Sequence, residues 1–474
     1  MKLEKKTKIV ATIGPASDSN STIKELMLAG VNIFRFNTKH SDVAWHNERI
    51  KRVQKIANEM NENVGIMIDL QGNEIRIETR EEKNIKVKKG DVILIASDFI
   101  SEDIKIAISD KKVLKGLRAG DSLLIDDGMI ELEVIESRSG ILKAKVIDGG
   151  LIKNRKSINF PGTKIKLASL IKRDIENLDS AAKNNVTYVA LSFVSSKEDI
   201  FTLRNEIKKR EMGSLIVSKI ENQESLDNLD EIIEASDAIM IARGDLGIEI
   251  PIEKLAFWQK EIIKKCRQNR KPVIVATQML HSMINNSRPT RAEATDVANA
   301  VFDGADAVML SEETAMGKFP VRSVIEMSKI LKFNEDHSNP PVLKSNIFSP
   351  TEFVVGAIAR EVEQRKILDK LKIKTAIIFA ESGYTARVFS SFRTKIRTIA
   401  ITNQKRIAEE LSLSYGITSY YSTIDFNDLC LPKEIIKDLK KKKVFSKNEV
   451  VAVFHGKYAK KPELINLFSL TTIK

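Results

Sequence analysis

Eight short apolar runs recur along the first two-thirds of the chain, and each is continuous, as expected of a strand buried on both faces. They lie at 8–13, 31–36, 64–69, 187–193, 215–220, 237–242, 272–277 and 305–310. Amphipathic, helix-like segments such as 22–28, 46–60 and 253–267 lie between most of them. Eight strands alternating with helices predict an α/β fold with a closed (β/α)₈ barrel, a TIM barrel.

A different pattern interrupts this alternation after the third strand. Short β-like runs at 91–95, 122–125, 130–135 and 141–147 are separated by turn signals such as Asp127-Gly128. We therefore expect residues 77–165 to form an inserted β-barrel-like domain. An insertion after a barrel strand would lie over the barrel mouth as a lid.

The rest of the chain is predicted to divide between the barrel and a third domain. Residues 1–76 and 166–340 would form the barrel, and a polar segment around 339–341 would be a linker. Beyond it, strand-like runs at 375–379, 398–402 and 450–454 alternate with helices such as 352–364. Residues 341–474 are therefore expected to form a C-terminal α/β domain.

Composition narrows the function classes. The 474 residues are 42% hydrophobic and 30% charged, with no apolar run long enough to cross a bilayer and no signal-peptide core at the start. The two cysteines, Cys266 and Cys430, are too few for a disulfide framework, so we expect a cytoplasmic protein with no membrane partner. The chain has a net charge of +13 but no nucleic-acid recognition motif. A nucleic-acid partner is therefore disfavoured, and the positive charge is expected to attract anionic metabolites.

Candidate chemistry lies where the predicted strands end, because barrel active sites form at the carboxyl ends of the strands. Lys219 and Glu221 end the fifth strand and are two residues apart, so they share a face. Asp245 follows the sixth strand. One cation and two carboxylates suit a divalent metal held against an anionic substrate, although a single such pair is more often an ion pair.

Three further residues at strand ends add suitable groups to this mouth. Arg35 could bind a phosphate by paired hydrogen bonds. Gly244 could let backbone N–H groups approach an anion. Thr277 alone would more often be a capping or packing residue. Because independent strands supply complementary groups, we interpret the whole set as a candidate active site.

Long motifs in a fixed order give this set a family resemblance. They are 7–17 (Thr-Lys-Ile-Val-Ala-Thr-Ile-Gly-Pro-Ala-Ser), 218–222 (Ser-Lys-Ile-Glu-Asn), 242–249 (Ala-Arg-Gly-Asp-Leu-Gly-Ile-Glu), 276–280 (Ala-Thr-Gln-Met-Leu) and 288–293 (Arg-Pro-Thr-Arg-Ala-Glu). The chain resembles pyruvate kinases over nearly its whole length. The resemblance implies transfer of a phosphoryl group from phosphoenolpyruvate to ADP, giving pyruvate and ATP.

The resemblance also implies roles for individual residues. Lys219 and Arg35 would hold the phosphoryl group from two sides, and Thr277 would assist protonation of the enolate through a water. Glu221 and Asp245 would bind Mg²⁺ or Mn²⁺, with Gly244 beside the substrate. The nucleotide side would comprise Asn37, His40, Arg76 and Lys156. Asp127 would come from the lid, whose closure would exclude water.

The chain departs from the family pattern at the monovalent cation site. The family usually reads Arg-x-Asn-x-Ser-His-Gly after strand two, where this chain has Lys39 for the serine and Ser41 for the glycine. The family K⁺ ligands would be Asn37, that serine, Asp69 and the residue that is Leu70 here. We hypothesise that the Lys39 ammonium takes the K⁺ position and neutralises Asp69. The alternative is that Lys39 points to solvent and activity is impaired.

The last expectations concern regulation and assembly. Ser382, Gly383 and Thr385 follow a strand and resemble an effector phosphate loop, although a short Ser-Gly turn is more often only a turn. The family implies a homotetramer.

The alternative function is that of a catalytically weak relative that binds phosphorylated metabolites as a sensor or scaffold.

Overall fold

The computed structural model describes residues 5–165, 167–338, 355–356, 373, 375–423, 433–441, 449–455 and 467–473. The linker predicted at 339–341, nearly all of the helix predicted at 352–364, and Cys430 lie outside the described residues. Among the described residues, no helix has the length and apolarity needed to cross a membrane.

The first part of the chain supplies three barrel strands. In order, it forms β1 (Lys8–Thr12), α1 (Asn20–Ala29), β2 (Ile33–Asn37), α2 (Val43–Met60) and β3 (Gly65–Asp69). Every residue of β1 and β3 is buried, as their continuous apolarity predicts. The Ser19 hydroxyl caps the start of α1, and Gly30 ends that helix with a φ of 115°.

The insert follows β3 and is built mainly from strands. It contains β4 (Glu78–Thr79), a 3₁₀ turn (Arg80–Glu82), β5 (Ile85–Val87), β6 (Val92–Ala96), β7 (Ile104–Ala107), α3 (Lys111–Gly116), β8 (Ser122–Ile125), β9 (Ile130–Arg138), β10 (Ile141–Asp148), β11 (Gly150–Ile152) and β12 (Ile158–Asn159). Seven of these strands form one sheet, and β5 pairs with β11 in a separate ribbon. The alternating runs therefore fold into a β domain inserted after the third barrel strand.

The chain then completes the barrel. It forms α4 (Lys172–Lys183), β13 (Tyr188–Leu191), α5 (Lys197–Lys209), β14 (Leu215–Ile220), α6 (Gln223–Asp227), α7 (Leu229–Ala235), β15 (Ala238–Ala242), α8 (Arg243–Glu249), a 3₁₀ turn (Ile252–Lys254), α9 (Leu255–Gln268), β16 (Val273–Ala276), a 3₁₀ turn (His281–Ile284), α10 (Arg291–Asp303), β17 (Ala307–Leu310), α11 (Glu312–Ala315) and α12 (Pro320–His337). The eight parallel strands close with β1 beside β17 and β3 beside β13. The predicted (β/α)₈ barrel is confirmed.

The C-terminal part forms a second, open α/β unit. It contains β18 (Thr375–Phe379), α13 (Tyr384–Ser391), β19 (Arg397–Thr402), α14 (Lys405–Glu410), a 3₁₀ turn (Leu411–Leu413), β20 (Ile417–Tyr421), α15 (Lys433–Lys441), β21 (Glu449–His455) and β22 (Leu467–Ile473). Its five-stranded sheet has the order β20, β19, β18, β21, β22, and only β22 is antiparallel. The predicted C-terminal α/β domain is confirmed.

The C-terminal domain packs under the amino ends of the barrel strands. Leu413 joins the apolar cluster inside the barrel, and the Tyr188 hydroxyl donates to the Glu410 carbonyl at 2.5 Å. The Arg393 guanidinium pairs with Asp306 at 2.7 Å, with both side chains buried. The opposite end of the barrel, where the strands finish, is left for the insert and the candidate site.

Candidate active site

Arg35 and Asp69 form the first fixed pair at the barrel mouth. They lie near the ends of the paired strands β2 and β3. The Arg35 Nε and Nη2 atoms lie 2.8 and 2.6 Å from Asp69 Oδ2, and Nη1 donates to the Thr12 hydroxyl at 2.8 Å. All three side chains are buried. This geometry fixes the guanidinium plane, as a phosphate-binding arginine requires.

Lys219 lies beside this pair at the end of β14. Its Nζ is 2.7 Å from Glu221 Oε1, 2.9 Å from the Ser192 hydroxyl and 3.5 Å from Asp69 Oδ1. Burial would lower the pKa of Lys219, but the carboxylates of Asp69, Glu221 and Asp245 outweigh it and raise that pKa. The structure therefore keeps a buried, charged ammonium at the mouth.

Glu221 is a buried carboxylate that Lys219 only partly compensates. Its Oε2 accepts the backbone N–H of Phe193 at 2.6 Å. Burial, and after it the charge of Asp245, raise the pKa of Glu221 to about 7 against the opposing effect of Lys219. A second cation next to Glu221 would stabilise its ionised form.

Glu221 and Asp245 therefore fit a divalent ion by the chemistry of their donors, since carboxylate oxygens are the ligands that Mg²⁺ prefers. Asp245 lies in the first turn of α8, directly after β15. Within the described residues, no group of three or more His, Cys, Asp or Glu side chains is arranged to hold a metal ion. A divalent ion at this pair would need further ligands from substrate and water.

Thr277 occupies a strained turn directly after β16. Its φ is 68°, which is rare for a β-branched residue. The hydroxyl accepts the Gly244 N–H at 2.8 Å and donates to the Ala276 carbonyl at 2.7 Å, while Arg243 Nη2 donates to the Thr277 carbonyl at 2.8 Å. These bonds hold the strained residue beside the turn that carries Asp245. The Gly244 N–H, which was expected to approach an anion, donates to the Thr277 hydroxyl instead.

The four residues assigned to the nucleotide side come from three places: Asn37 and His40 lie at and after the end of β2, Arg76 follows β3, and Lys156 lies in the insert. The Asn37 side chain accepts the Lys39 N–H at 3.2 Å, and His40 is exposed. Arg76 Nη2 donates to Glu74 at 2.8 Å, and its Nη1 donates to the Arg155 carbonyl at 2.8 Å. Lys156 pairs with Asp126 in the insert at 2.7 Å. Partial burial and then the charge of Lys39 lower the pKa of His40.

Lys39 turns inward, but its direct partner differs from the one we hypothesised. Its side chain is 20% exposed, which does not fit the solvent-pointing alternative. Its Nζ is 3.5 Å from Glu74 Oε1 and 5.7 Å from the centre of the Phe193 ring. Asp69 is paired with Arg35 and Lys219 instead.

The charge of Lys39 still reaches Asp69. Burial opposes ionisation of Asp69, but Lys219 and Arg35, with a smaller contribution from Lys39, lower its pKa. Leu70 is buried, and its carbonyl accepts the Ser192 hydroxyl at 2.8 Å. The described partners of these two residues are therefore protein groups: ion pairs for Asp69 and a hydroxyl for the Leu70 carbonyl.

The insert covers one side of a large cleft at this mouth. The cleft has a volume of about 940 Å³ and is lined by residues that include Glu74, Asp127, Phe193, Asp245 and Glu249. Asp127 lies in the tight turn between β8 and β9 and accepts the Ser157 hydroxyl at 3.4 Å. Asn159 Nδ2 donates to Glu249 Oε1 at 2.8 Å, which ties the insert to α8.

The candidate effector loop lies far from this mouth, between β18 and α13. Gly383 has a φ of 74° and precedes the helix, Thr385 is buried, and Arg387 Nη2 donates to the Ser382 carbonyl at 3.0 Å. The loop is therefore a strand-to-helix turn whose glycine adopts a left-handed conformation.

Sequence reasoning gave no role to several residues that position the site. Thr12 and Ser192 hold Arg35 and Lys219, and both are hydroxyl residues at or just beyond the end of an apolar run. This position at a strand end could have identified both residues from the sequence. No sequence pattern indicates the Asn159–Glu249 contact, because the two residues are 90 positions apart.

Comparisons with known proteins agree with this geometry. Residues 4–324 match the family model "Pyruvate kinase, barrel domain", and residues 358–470 match "Pyruvate kinase, alpha/beta domain". The chain is 39% identical over 418 residues to a pyruvate kinase of Bacillus licheniformis, covering 87% of this chain and 71% of the relative. It is 37% identical to one from Clostridium perfringens, covering 92% of each, and 36% identical to one from Thermococcus litoralis, covering 95% of each.

A solved structure gives the same result. A pyruvate kinase from Cryptosporidium parvum superposes with a TM-score of 0.91 and 32% identity, covering 99% of this chain and 97% of that one. These matches give no support to the alternative of a non-catalytic sensor or scaffold. Motif order, barrel, insert and relatives agree along nearly the whole length, and the chain belongs to the pyruvate kinase family.

Proposed function

We propose that the mouth formed by Lys219, Glu221, Arg35 and Asp245 carries out the family's reaction, transfer of a phosphoryl group from phosphoenolpyruvate to ADP. The bond between phosphorus and the enol oxygen breaks, and a bond to a β-phosphate oxygen of ADP forms. Such a transfer needs positioning and neutralisation of spreading negative charge. The observation that carries the proposal is the buried Lys219 ammonium, held charged by three carboxylates beside the fixed Arg35 guanidinium.

Thr277 is proposed to act on the second half of the reaction. After the phosphoryl group leaves, the enolate must take a proton on its methylene carbon to become pyruvate. The Thr277 hydroxyl is fixed by Gly244 and Ala276, so it can orient a water for that proton transfer. The substrate would lie against this hydroxyl, Gly244 and Asp245.

Glu221 and Asp245 are proposed to hold Mg²⁺ or Mn²⁺. When bound, the ion would neutralise charge on the carboxylate and phosphate of phosphoenolpyruvate. Lys219 and Arg35 would bind the phosphoryl group from two sides, and Ser192 would orient Lys219.

The nucleotide is proposed to lie on the side of Asn37, His40, Arg76 and Lys156. Three of these four carry or can carry positive charge, which suits ADP and ATP phosphates. Asp127 and the rest of the insert would close over the bound substrates and exclude water, so that phosphoenolpyruvate is not hydrolysed. Support comes from the cleft that the insert shares with the barrel.

We further propose that catalysis does not depend on K⁺, although the family generally uses it. Lys39 turns into the mouth, and its charge acts on both Asp69 and Glu221. The ammonium, held by Glu74, supplies positive charge where Asn37, Asp69 and Leu70 would otherwise share an ion. The role of Lys39 is thus electrostatic, without direct contact to Asp69 among the described ion pairs.

A coupled assay of pyruvate formation, with and without K⁺, tests both parts of the proposal. Wild-type protein should form pyruvate in K⁺-free buffer with less than about twofold activation by K⁺. The Lys39→Ser variant should lose about 100-fold in kcat without K⁺, as expected for loss of one catalytic charge, and recover when K⁺ is added.

Lys55→Ser on the exposed face of α2 is the control for loss of one lysine, and it should match wild type. Strong activation of the wild type by K⁺ would contradict the role of Lys39 while leaving the reaction intact. Absence of pyruvate under all conditions would contradict the reaction itself.

Regulation and assembly follow the family expectation. We propose that Ser382, Gly383 and Thr385 form a phosphate loop for an effector, supported by the left-handed Gly383 at the start of α13. We also propose a cytoplasmic homotetramer. Both the location and the assembly rest on the family resemblance, and the two large apolar side chains near the start of α9, Ile252 and Phe257, which are 68% and 59% exposed, suit an interface between subunits.

A further inference from the structure

The loop between β2 and α2 contains a strained residue at an informative position. Ser41 has a φ of 60°, in the left-handed region that disfavours any residue with a Cβ. It directly follows His40 and precedes Asp42, whose side chain accepts the Trp45 N–H at 2.8 Å and caps α2. The backbone direction at Ser41 therefore sets where His40 lies relative to the helix.

Arg173 holds this strained residue from a distant part of the chain. Its Nη2 donates to the Ser41 carbonyl at 2.5 Å. The two residues are 132 positions apart, so the contact is purely tertiary. The neighbouring His40 carbonyl is also anchored, by His46 Nε2 at 2.8 Å, but that bond lies within the loop and its own helix. Arg173 thus links the strained part of this loop to α4, in addition to the Lys39–Glu74 pair with the loop after β3.

The residue after Arg173 makes a matching cross-link to the next loop. Asp174 is buried, and its Oδ1 accepts the Gln71 N–H at 2.9 Å and the Gly72 N–H at 3.4 Å, just after β3. Arg173 and Asp174 both lie in the first turn of α4, the first helix after the insert. One helical turn therefore contacts both the loop after β2, which carries His40, and the loop after β3, which leads to Arg76.

We propose that Arg173 is a positioning residue for the nucleotide. Through the Ser41 carbonyl it keeps the loop after β2 in the conformation that presents Asn37 and His40 to the phosphates of ADP. The inference rests on the proposed function, because it is that function which assigns the loop to the nucleotide. It adds a residue from α4 that contacts the loop and not the reacting atoms.

Steady-state kinetics of Arg173→Ala test this role. The variant should raise KM for ADP about tenfold and change KM for phosphoenolpyruvate by less than about twofold, because the phosphoenolpyruvate side is held by other residues. Lys172→Ala is the matched control. It removes the same charge one position away from a side chain that is 94% exposed, and it should leave both constants unchanged.

A second substitution separates positioning from direct binding. Glycine adopts a φ near 60° without steric penalty, so Ser41→Gly should relieve the need for the Arg173 bond. The double variant Ser41→Gly, Arg173→Ala should recover at least about threefold in KM for ADP relative to Arg173→Ala alone. Arg173→Lys, which keeps a donor, should lie between wild type and Arg173→Ala and serves if the alanine variant does not fold.

Two results would overturn the inference. An unchanged KM for ADP in both Arg173→Ala and Arg173→Lys would show that the loop does not need the bond. A raised KM that Ser41→Gly leaves fully in place would make Arg173 a direct phosphate contact. Wild-type turnover in the same assay reports on the proposed reaction separately, so failure of the reaction and failure of the inference are distinguishable.

Discussion

Among single residues, Glu221 has the environment that bears most directly on the proposed metal site. Its carboxyl is buried, its pKa is raised to about 7 by that burial, and one ammonium at 2.7 Å does not restore the ordinary value. In a protein selected for stability alone, an apolar residue of similar size would be the more stable choice. The divalent cation proposed above would compensate the charge of this buried carboxyl.

This raised pKa predicts a pH dependence of stability in protein kept free of divalent ions. Between about pH 4.5 and about pH 7 the native state keeps a proton on Glu221 that the unfolded chain has released. The free energy of unfolding should therefore fall as pH rises through that range. Urea denaturation in EDTA from pH 5 to pH 8 measures this free energy for the wild type and for Glu221→Gln, and the difference between the two proteins isolates the contribution of Glu221.

Glu221→Gln removes the titration while keeping a neutral side chain of the same shape. The wild type should lose stability relative to this variant as pH rises, and added Mg²⁺ at pH 8 should stabilise the wild type more than the variant. A stability difference that stays constant from pH 5 to pH 8 would contradict the raised pKa. An equal effect of Mg²⁺ on both proteins would contradict metal binding at Glu221.

At the level of elements, the insert and α8 meet at one well-defined contact, between Asn159 at the end of β12 and Glu249 at the end of α8. Burial raises the pKa of Glu249, while the Asn159 hydrogen bond opposes that effect. Because α8 also carries Asp245, this contact ties the position of the insert to the turn that is proposed to bind the metal.

Asn159→Ala should therefore weaken closure of the insert and raise KM for phosphoenolpyruvate about three- to tenfold. The control is Lys164→Ala, whose pair with Asp227 also joins the insert to the barrel but is 3.8 Å long and exposed to solvent. That variant should behave as wild type in the same steady-state assay. Equal kinetic changes in both variants would assign the effect to general loosening of the insert.

The elements also show how far sequence alone reaches. Barrel strands are buried on both faces, so their apolar runs are readable, and β14 spans 215–220 as predicted. Strand ends located Arg35, Lys219 and Asp245 for the same reason. The direction in which a loop side chain points is harder to predict. Lys39 was expected beside Asp69, but the loop places it beside Glu74. Arg173 has no local signal, because its partner is set by the packing of α4 against a distant loop.

At the scale of the whole molecule, the C-terminal domain closes the end of the barrel opposite the candidate active site. Arg393 is central to this junction: it pairs with Asp306 at 2.7 Å, donates to the Gly304 carbonyl, and lies 4.6 Å from the centre of the Tyr415 ring. Asp306 in turn accepts the Tyr415 N–H at 3.1 Å. The two domains are thus joined by a buried ion pair.

Arg393→Met should destabilise the protein by about 3–5 kcal/mol, because it keeps most of the volume but leaves the Asp306 charge buried without its partner. Chemical denaturation measures the change. Lys405→Met is the control: it removes an exposed cross-domain hydrogen bond to Asn58 and should cost less than about 0.5 kcal/mol. Adding Asp306→Asn to Arg393→Met should cost less than the sum of the single changes, since the unpaired charge is then gone. Strict additivity would mean that Arg393 stabilises the junction through its carbonyl and ring contacts alone, and that the ion pair contributes nothing to holding the domain under the barrel.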